Sequence, residues 1–303
     1  MAEIVENGVL IRDVETKNVM TKSALPVGGY SVNPYVGCTH GCKYCYASFM
    51  KRFTGHTEPW GTFLDVKHWP AIKNPRKYAG QRVVIGSVTD GYLPQEEQFG
   101  NTRKLLEQLK GSGAEILICT KSDLVVRDID LLKEMGKVTV SWSINTLDED
   151  FKNDMDSAVS IERRLDAMKQ VYDAGIRTVC FIAPVFPGIT DFEAIFHRVK
   201  DQCDLVWLEN LNLRGGFKKD ILAYIQEKYP HLFPLYDTIY NKGDRRCFHA
   251  LEEQAKRLAG EYDCPFVDNE LPYGRAEPGH PVIVDYFYHE EVRGSENTGL
   301  RNR

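Results

Sequence analysis

Short apolar runs rich in β-branched residues alternate along this chain with stretches whose apolar residues recur at helical spacing. Runs of the first kind are typical of strands buried on both faces, and the second kind predicts the helices that cover them. Six strands are predicted, at 28–36, 82–88, 115–119, 137–144, 177–183 and 204–208. Helices are predicted between them, at 42–53, 99–110, 128–135, 161–174 and 192–200.

This alternation of strands and helices predicts a parallel sheet and an α/β fold. With six units, the economical interpretation is a partial (β/α)6 barrel of the TIM type. A doubly wound sheet is the alternative, since periodicity does not separate the two. In a barrel, the residues at the carboxyl ends of the strands form the functional site. The residues that follow the predicted strands are therefore the first candidates for chemistry.

The alternation covers only the middle of the chain. Residues 1–27 are interpreted as an N-terminal extension that packs beside the main domain, and residues 28–213 as the barrel core. In the remainder, 214–303, helices are predicted at 220–228 and 248–258, and an apolar strand at 282–288. We expect this C-terminal region to close the open side of the barrel and to contribute to the substrate site.

Composition narrows the class of protein. The 303 residues are 43% hydrophobic and 27% charged, as in ordinary globular proteins, and the net charge of −5 offers no general basic surface for nucleic acid. The first residues lack the pattern of a signal peptide, and no apolar run approaches the roughly 18 residues of a membrane span. Most of the eight cysteines are scattered singly, which fits a reducing compartment. We expect a cytoplasmic protein that makes no membrane contact.

Three of the cysteines lie close together, in a stretch that we call the three-cysteine loop (residues 33–46). Cys38, Cys42 and Cys45 are spaced C-x3-C-x2-C. Thiolates this close can converge on zinc or on an iron–sulfur cluster. Three ligands would leave one iron of a [4Fe–4S] cube open to a small molecule, whereas zinc would take a fourth ligand such as His40 or His56.

Polar motifs follow the predicted strands in order. They are Ser87-Val-Thr89-Asp90-Gly-Tyr-Leu-Pro94-Gln-Glu96, Thr120-Lys121-Ser122, Ser143-Ile-Asn145 and Ala183-Pro-Val-Phe-Pro187-Gly-Ile-Thr-Asp191. The cysteine spacing resembles the cluster motif of the radical S-adenosylmethionine (SAM) superfamily. The strand-end motifs resemble those of the branch related to spore photoproduct lyase, over roughly residues 28–210. The resemblance implies an enzyme with a [4Fe–4S] cluster that cleaves SAM reductively to a 5′-deoxyadenosyl radical, which abstracts hydrogen from a substrate.

The resemblance also implies roles for single residues. Cys38, Cys42 and Cys45 would ligate the cluster, and Thr89 and Lys121 would hold the carboxylate of SAM by charge-assisted hydrogen bonds. The other implied contacts are with the rest of SAM: Asp90 with its amino group (or as the anchor of the turn), Ser143 and Asn145 with the ribose, Tyr44 and Tyr46 with the adenine or the cluster, and Pro187 and Gly188 with the adenine.

Two departures from the lyase pattern separate this chain from its reaction. Ser87 stands where the lyase has its hydrogen-donating cysteine, and Gly91 replaces a proline. Repair of spore photoproduct is therefore not expected.

Candidate substrate contacts are Tyr92, Glu96, Arg275 and His280, and the substrate class stays open between a nucleic-acid base, a peptide side chain and a small molecule. The resemblance further implies an external electron donor, and small relatives of this group can act beside a second radical SAM protein. The alternatives from other classes are a zinc protein with a structural or nucleic-acid-binding role, and an iron–sulfur electron-transfer protein without SAM chemistry.

Overall fold

The computed structural model describes residues 3–23, 29–213, 215–268 and 282–287. The chain divides into two compact units. The first unit consists of Met1–Trp142 and Glu149–Thr178, and the second of Ser143–Asp148 and Val179–Arg303. The predicted division into 1–27, 28–213 and 214–303 stays a prediction.

The first unit contains two sheets and the helices that accompany them. Its strands are β1 (Glu3–Glu6), β2 (Val9–Glu15), β3 (Met20–Lys22), β4 (Tyr30–Val32), β5 (Tyr35–Val36), β6 (Phe63–His68), β7 (Arg82–Ile85), β8 (Glu115–Thr120) and β9 (Val138–Ser143). Its helices are α1 (Lys51–Thr54), α2 (Glu96–Phe99), α3 (Asn101–Leu109), α4 (Ile129–Met135), α5 (Glu149–Met155) and α6 (Ile161–Asp173).

The larger sheet of this unit has the order β3-β4-β7-β8-β9. From β4 to β9 all neighbours are parallel, with Val83 opposite Ile116 and Ile116 opposite Val138. The inward residues of these strands, such as Ile85, Ile118 and Val140, are fully buried. The predicted parallel sheet is thus confirmed, because the β-branched runs form neighbouring parallel strands whose inward residues are buried.

The two longest helices of the first unit, α3 and α6, bury one face each. In α3 the buried apolar residues are Leu105, Leu106 and Leu109, the i, i+1, i+4 pattern of an amphipathic helix. Helix α6 begins at Ser160, whose side chain accepts a hydrogen bond from the backbone N–H of Arg163 as an N-cap. Both helices lie within one residue of their predicted bounds at the C-terminal side.

The second sheet was not predicted. It has the order β1-β2-β6-β5, and β6 forms at Phe63–His68, where no strand was predicted. The predicted strand 28–36 is in fact two strands, β4 in the larger sheet and β5 in the smaller, because Pro34 cannot donate to a continuous ladder. The N-terminal extension also does more than pack beside the domain, since β3 pairs antiparallel with β4.

The helix predicted at 42–53 was too long. A 3-10 helix covers Tyr46–Met50, α1 follows, and Gly55 ends it in the left-handed region. The aromatic residues that suggested a buried helical face are exposed: Tyr46 by 53%, Phe49 by 39% and Phe53 by 72%. The residues around Cys42 therefore remain a loop.

The second unit has four neighbouring parallel strands, in the order β10-β11-β13-β12. Its strands are β10 (Arg177–Val185), β11 (Leu205–Asn210), β12 (Phe266–Asp268) and β13 (Ile283–Phe287), and its helices α7 (Phe192–Val199), α8 (Phe217–Lys228), α9 (Phe233–Tyr240) and α10 (Arg246–Glu261). The core includes Ile182, Leu205 and Val284, all fully buried. Closure of a barrel by the C-terminal region stays a prediction. Among the described residues, no helix has the length and apolarity needed to cross a bilayer.

Candidate functional site

The part of the three-cysteine loop that carries the cysteines follows β5 and begins at Gly37. Gly37 has φ +87°, and a Cβ there would lie 2.4 Å from the carbonyl oxygen of Phe63, so only glycine fits. The amide of Gly41 donates to the carbonyl of Cys38 at 3.1 Å, and a bond of equal length closes the turn that ends at Cys45. These two tight turns keep the three thiols along one short loop.

Burial shapes the chemistry of the thiols. It raises the pKa of Cys38 well above its usual value and that of Cys42 to about 12, and it raises the pKa of Cys45 as well. Repulsion by the thiolates of Cys42 and Cys45 adds to the rise in the pKa of Cys38, and repulsion by Cys45 adds to the rise in the pKa of Cys42. Without a cationic partner the thiols therefore stay protonated at neutral pH. A metal centre would supply the positive charge that their ionisation requires.

The side chains around the loop bear on the two kinds of metal centre that its cysteine spacing permits. In the part of the chain that the structure describes, no three His, Cys, Asp or Glu side chains have the arrangement of ligands around one metal ion. Cysteines that each bind a different iron of a cluster need no such common point. Of the two candidate fourth ligands of zinc, His56 has both ring nitrogens engaged, by Glu58 and Asp65 at 3.0 Å each, whereas His40 bonds Asp90 at 3.0 Å through Nε2.

Asp90 is the centre of the hydrogen bonds that fix this loop. Its carboxylate accepts from Nε2 of His40 at 3.0 Å, from the hydroxyl of Thr120 at 2.9 Å, and from the backbone N–H groups of Lys121 at 2.7 Å and Tyr92 at 2.8 Å. Burial opposes ionisation of Asp90, but the hydrogen bonds and charge of His40 and the two backbone amides outweigh it, so the pKa lies below its usual value. Asp90 thus joins the cysteine loop to the carboxyl end of β8.

Thr89 directly precedes Asp90 in the chain, and Lys121 is joined to Asp90 through its backbone N–H. The hydroxyl of Thr89 donates to the carbonyl of Gly37, so its single proton is used to hold the cysteine loop. The ammonium of Lys121 lies 5.6 Å from the centre of the Tyr44 ring. Its charge also lowers the pKa of Cys42 against the larger effect of burial, which places it on the thiol side of the loop.

A buried ion pair lies next to the three-cysteine loop. Arg164 and Asp156 meet at 2.8 Å with side chains 1% and 2% exposed, and the hydroxyl of Tyr44 lies 3.5 Å from the same carboxylate. The backbone beside Asp156 is bonded to the loop as well, since Ser157 N–H donates to the carbonyl of His40 at 2.8 Å. Sequence reasoning missed Asp156, because nothing in the sequence links it to cysteines more than 100 residues away.

Tyr46 and Ser87 also meet. The Tyr46 hydroxyl donates to the carbonyl of Ser87. The Ser87 hydroxyl contacts the hydroxyl of Ser31 and accepts from the side-chain amide of Asn33 at 3.1 Å. Ser87 thus belongs to a cluster of polar side chains at the ends of β4 and β7, next to the three-cysteine loop.

Two of the candidate substrate contacts are part of the interior. Tyr92 and Glu96 are fully buried. Tyr92 donates to Asp128 at 3.0 Å, and Glu96 accepts from Arg127 at 2.9 Å. We therefore do not carry them forward as substrate contacts. The other two candidates, Arg275 and His280, lie outside the described residues.

The remaining candidates belong to the second unit. Asn145 is buried, donates from Nδ2 to the carbonyl of Pro184 at 3.1 Å, and accepts from the hydroxyl of Thr190 at its own carbonyl. Ser143 lies two residues before it and is half-buried. Gly188 has φ +76°, and a Cβ there would lie 2.9 Å from the side chain of Leu232. Pro187, beside it, is buried.

Comparison with known proteins gives one family. A family model described as the radical SAM superfamily matches residues 32–199, more than half of the chain. An uncharacterized protein of Methanocaldococcus jannaschii is 35% identical over 232 residues, which cover 76% of this chain and 86% of that protein. A protein of Pseudomonas phage M6 named radical SAM Nalpha-GlyT isomerase is 27% identical over 57% of this chain and 35% of its own.

Solved structures agree on the fold. A spore photoproduct lyase variant with bound AdoMet and dinucleoside spore photoproduct gives a TM-score of 0.54 at 18% identity, covering 73% of this chain and 66% of the lyase. Streptococcus suis SuiB bound to precursor peptide SuiA gives 0.52 at 15% identity, covering 85% of this chain and 48% of SuiB. These likenesses confirm the predicted fold class, an α/β fold of the partial TIM-barrel type.

Proposed function

Because the chain belongs to the radical SAM superfamily, and is thus a radical SAM enzyme that uses SAM and an iron–sulfur cluster, we propose that the cluster is [4Fe–4S] and is ligated by Cys38, Cys42 and Cys45. Such a cluster, with SAM bound, would supply the chemistry of reductive SAM cleavage to a 5′-deoxyadenosyl radical and so of hydrogen abstraction from a substrate. The donor set fits: three soft thiols in one tight loop, whose burial calls for a compensating positive charge.

The observation that carries the proposal is the carboxylate of Asp90. It binds His40, which lies between two of the cysteines, and it binds the backbone of Lys121 at the end of β8. One buried group therefore sets the distance between the cysteine loop and the lysine. Cluster ligands and a cation for a bound anion must be held in such a fixed relation if SAM is to bridge them.

Lys121 is proposed to bind the carboxylate of SAM. Its backbone is fixed by Asp90, and its ammonium lies over the face of Tyr44 beside the thiols. An ammonium held at this place gives a charge-assisted hydrogen bond to an anion bound next to the loop. Thr89 can add to this only if its proton turns away from Gly37, so we assign it first to holding the loop, and Asp90 to anchoring the turn.

The second unit is proposed to bind the nucleoside of SAM. Ser143 and Asn145 are proposed for the ribose, and Pro187 and Gly188 for close approach to the adenine. The backbone of this strand end is fixed in advance, because the hydroxyl of Thr190 bonds the carbonyl of Asn145 at 2.9 Å. Such preorganisation reduces the entropy lost on binding.

The substrate is proposed to be other than spore photoproduct, because the hydroxyl of Ser87 is a poor hydrogen-atom donor. Solved relatives hold a dinucleoside and a peptide, so both classes are tested. Binding to single- and double-stranded DNA and RNA is measured at several salt concentrations, beside binding to peptide pools. Affinity that falls steeply with salt supports a nucleic acid.

Anaerobic reconstitution tests the cofactor proposal. We expect about four irons and four sulfides per chain by the definition of the cluster, and 5′-deoxyadenosine after addition of dithionite and SAM. Cys38→Ala should lose both, whereas Cys264→Ala, which removes a half-buried thiol of the second unit, should lose neither. A wild-type protein with a full cluster that never cleaves SAM contradicts the proposal, and stoichiometric zinc without sulfide supports the zinc alternative.

A further inference from the structure

Two exposed aromatic side chains follow the three-cysteine loop and have no role in the function proposed above. Phe49 is 39% exposed and Phe53 is 72% exposed, and their rings meet edge to face at 6.2 Å. The guanidinium of Arg52 lies 5.9 Å from the centre of the first ring and 5.8 Å from that of the second. Lys51 precedes it and donates to the carbonyl of Thr57 at 3.3 Å. We call Phe49, Lys51, Arg52 and Phe53 the aromatic–cation patch.

The charge of the aromatic–cation patch is of one sign. From residue 46 to residue 57 the sequence contains Lys51 and Arg52 but no Asp or Glu, although the whole chain has a net charge of −5. The next carboxylate along the chain, Glu58, is paired with His56. Large apolar side chains that are exposed together, with polar residues at their edge, mark sites of interaction. The patch therefore suits a partner whose surface combines negative charge with apolar contacts.

The patch is connected directly to the third cysteine. Cys45 is the N-cap of the 3-10 helix Tyr46–Met50, and its carbonyl accepts from the backbone N–H of Ser48 at 3.3 Å. Helix α1 continues from the end of this helix. With a rise of about 2.0 Å per residue in a 3-10 helix, the backbone of Phe49 lies about 8 Å along the axis from that of Cys45. A partner bound to the patch would thus come close to a cluster that Cys45 ligates.

We propose that the aromatic–cation patch is the docking surface of the electron donor, a small redox protein whose surface around its redox centre is acidic. The inference rests on the proposed function, because reductive cleavage of SAM takes up one electron that a reductant must deliver. In the docked complex one electron passes from the reduced centre of the donor to the oxidised cluster, and no bond forms or breaks in this step. Electron transfer weakens steeply with distance, which favours docking beside a cluster ligand. Interfaces between redox proteins are small and transient, in keeping with the size of the patch.

A single-stranded nucleic acid is the competing occupant. Proteins that bind it offer aromatic faces on which bases stack, beside cations for the phosphates. Here the guanidinium of Arg52 already lies over the rings of Phe49 and Phe53. A base could stack on these rings only after the guanidinium had moved away. This geometry favours the acidic protein.

The first measurement is binding of an oxidised carrier to the reconstituted protein, which involves no catalysis. The probes are a plant-type [2Fe–2S] ferredoxin and a flavodoxin, both acidic, in biolayer interferometry at several salt concentrations. Arg52→Glu should lower the association rate constant about tenfold at low salt and make it less dependent on salt, and Phe53→Ser should speed dissociation. The matched control is Arg76→Glu, because Arg76 is an exposed arginine on another 3-10 helix of the same unit, Pro75–Tyr78. This control should bind the carriers as the wild type does.

The second measurement compares two reductants in the formation of 5′-deoxyadenosine. With a reduced carrier, Arg52→Glu should form the product about tenfold more slowly than the wild type. With dithionite, which needs no docking surface, the two should be equal, and this equality also shows that the variant is folded and loaded. A loss with dithionite as well would assign Arg52 to the cofactor chemistry and overturn the inference.

The binding data can overturn the inference without touching the proposed function. Carriers that do not bind the wild type, or that bind Arg52→Glu equally well, contradict docking at the patch. Binding of a single-stranded oligonucleotide that Arg52→Glu abolishes, with carrier binding unchanged, would assign the patch to nucleic acid instead. If the wild type still cleaves SAM with dithionite in any of these cases, the proposed function stands and only the docking surface is lost.

Discussion

Replacing Asp90 with Asn should damage the protein far more than its small change of shape suggests. One carboxylate oxygen accepts from the backbone N–H of Lys121 at 2.7 Å and from His40, and the other accepts from the N–H of Tyr92 at 2.8 Å. In either orientation of the new amide, its NH2 group faces a backbone N–H, and a backbone N–H can donate a hydrogen bond but cannot accept one. At least one buried donor therefore loses its acceptor in every arrangement.

The expected magnitude follows from these contacts. Hydrogen bonds to a charged group contribute about 1.5–3 kcal/mol each, and Asp90→Asn disrupts two of them at the affected oxygen. We expect the free energy of unfolding to fall by about 3–5 kcal/mol, as when a buried charged partner is removed. That is a large part of the total stability of a typical domain, about 5–15 kcal/mol.

Urea denaturation of the cluster-free protein under reducing conditions measures this loss. Asp130→Asn is the control, because that carboxylate is 66% exposed and only pairs with Arg103 at the surface, so its stability should hardly change. Because the folded pKa of Asp90 is lowered, its contribution is fully present above the unfolded pKa of about 3.9 and is lost as pH falls through the folded pKa. The difference between wild type and variant should therefore shrink below about pH 4. A loss under about 1 kcal/mol at pH 7 would refute this reasoning.

Three further predictions concern the cofactors. Lys121→Met should keep the cluster and weaken SAM binding by roughly 10- to 150-fold, the equivalent of one charge-assisted hydrogen bond. Calorimetry on the cluster-loaded protein measures this change, with the variant Lys137→Met of an exposed lysine as the control. Equal affinity of both variants for SAM would contradict the assignment of Lys121. Gly37→Ala should lose iron during reconstitution, whereas Gly80→Ala, with a similar positive φ but nothing within 4 Å of the new Cβ, should load normally; equal loading would show that the close approach to Phe63 is unimportant. Ser87→Ala should leave formation of 5′-deoxyadenosine intact by chromatographic assay, and its loss would give Ser87 a role in cofactor chemistry.

The fold was predictable where one sequence pattern determined one structure. The runs at Arg82, Glu115 and Lys137 are apolar and β-branched, and all became neighbouring parallel strands. Prediction failed where apolar spacing had two meanings. Phe49 and Phe53 are spaced as on a buried helical face but are exposed, because the cysteine loop takes up the residues that a longer helix would need.

The candidate site was predictable only to the extent that it is local in sequence. Cysteine spacing identified the loop from a single short stretch, and the order of strand-end motifs suggested Lys121. Asp156 carries no such signal, since it reaches the loop only through the fold. Glu96 shows the opposite case: a carboxylate next to a motif looks functional in sequence, whereas in the structure it is buried and accepts a hydrogen bond from Arg127.

The central claim is that the three-cysteine loop holds a cluster that cleaves SAM. Its most direct test is the amount of 5′-deoxyadenosine formed per cluster by the anaerobically reconstituted wild-type protein with dithionite and SAM, measured beside Cys42→Ala. The account predicts product in the wild type and none in the variant. A wild-type protein that carries a full cluster and binds SAM but forms no 5′-deoxyadenosine would contradict it.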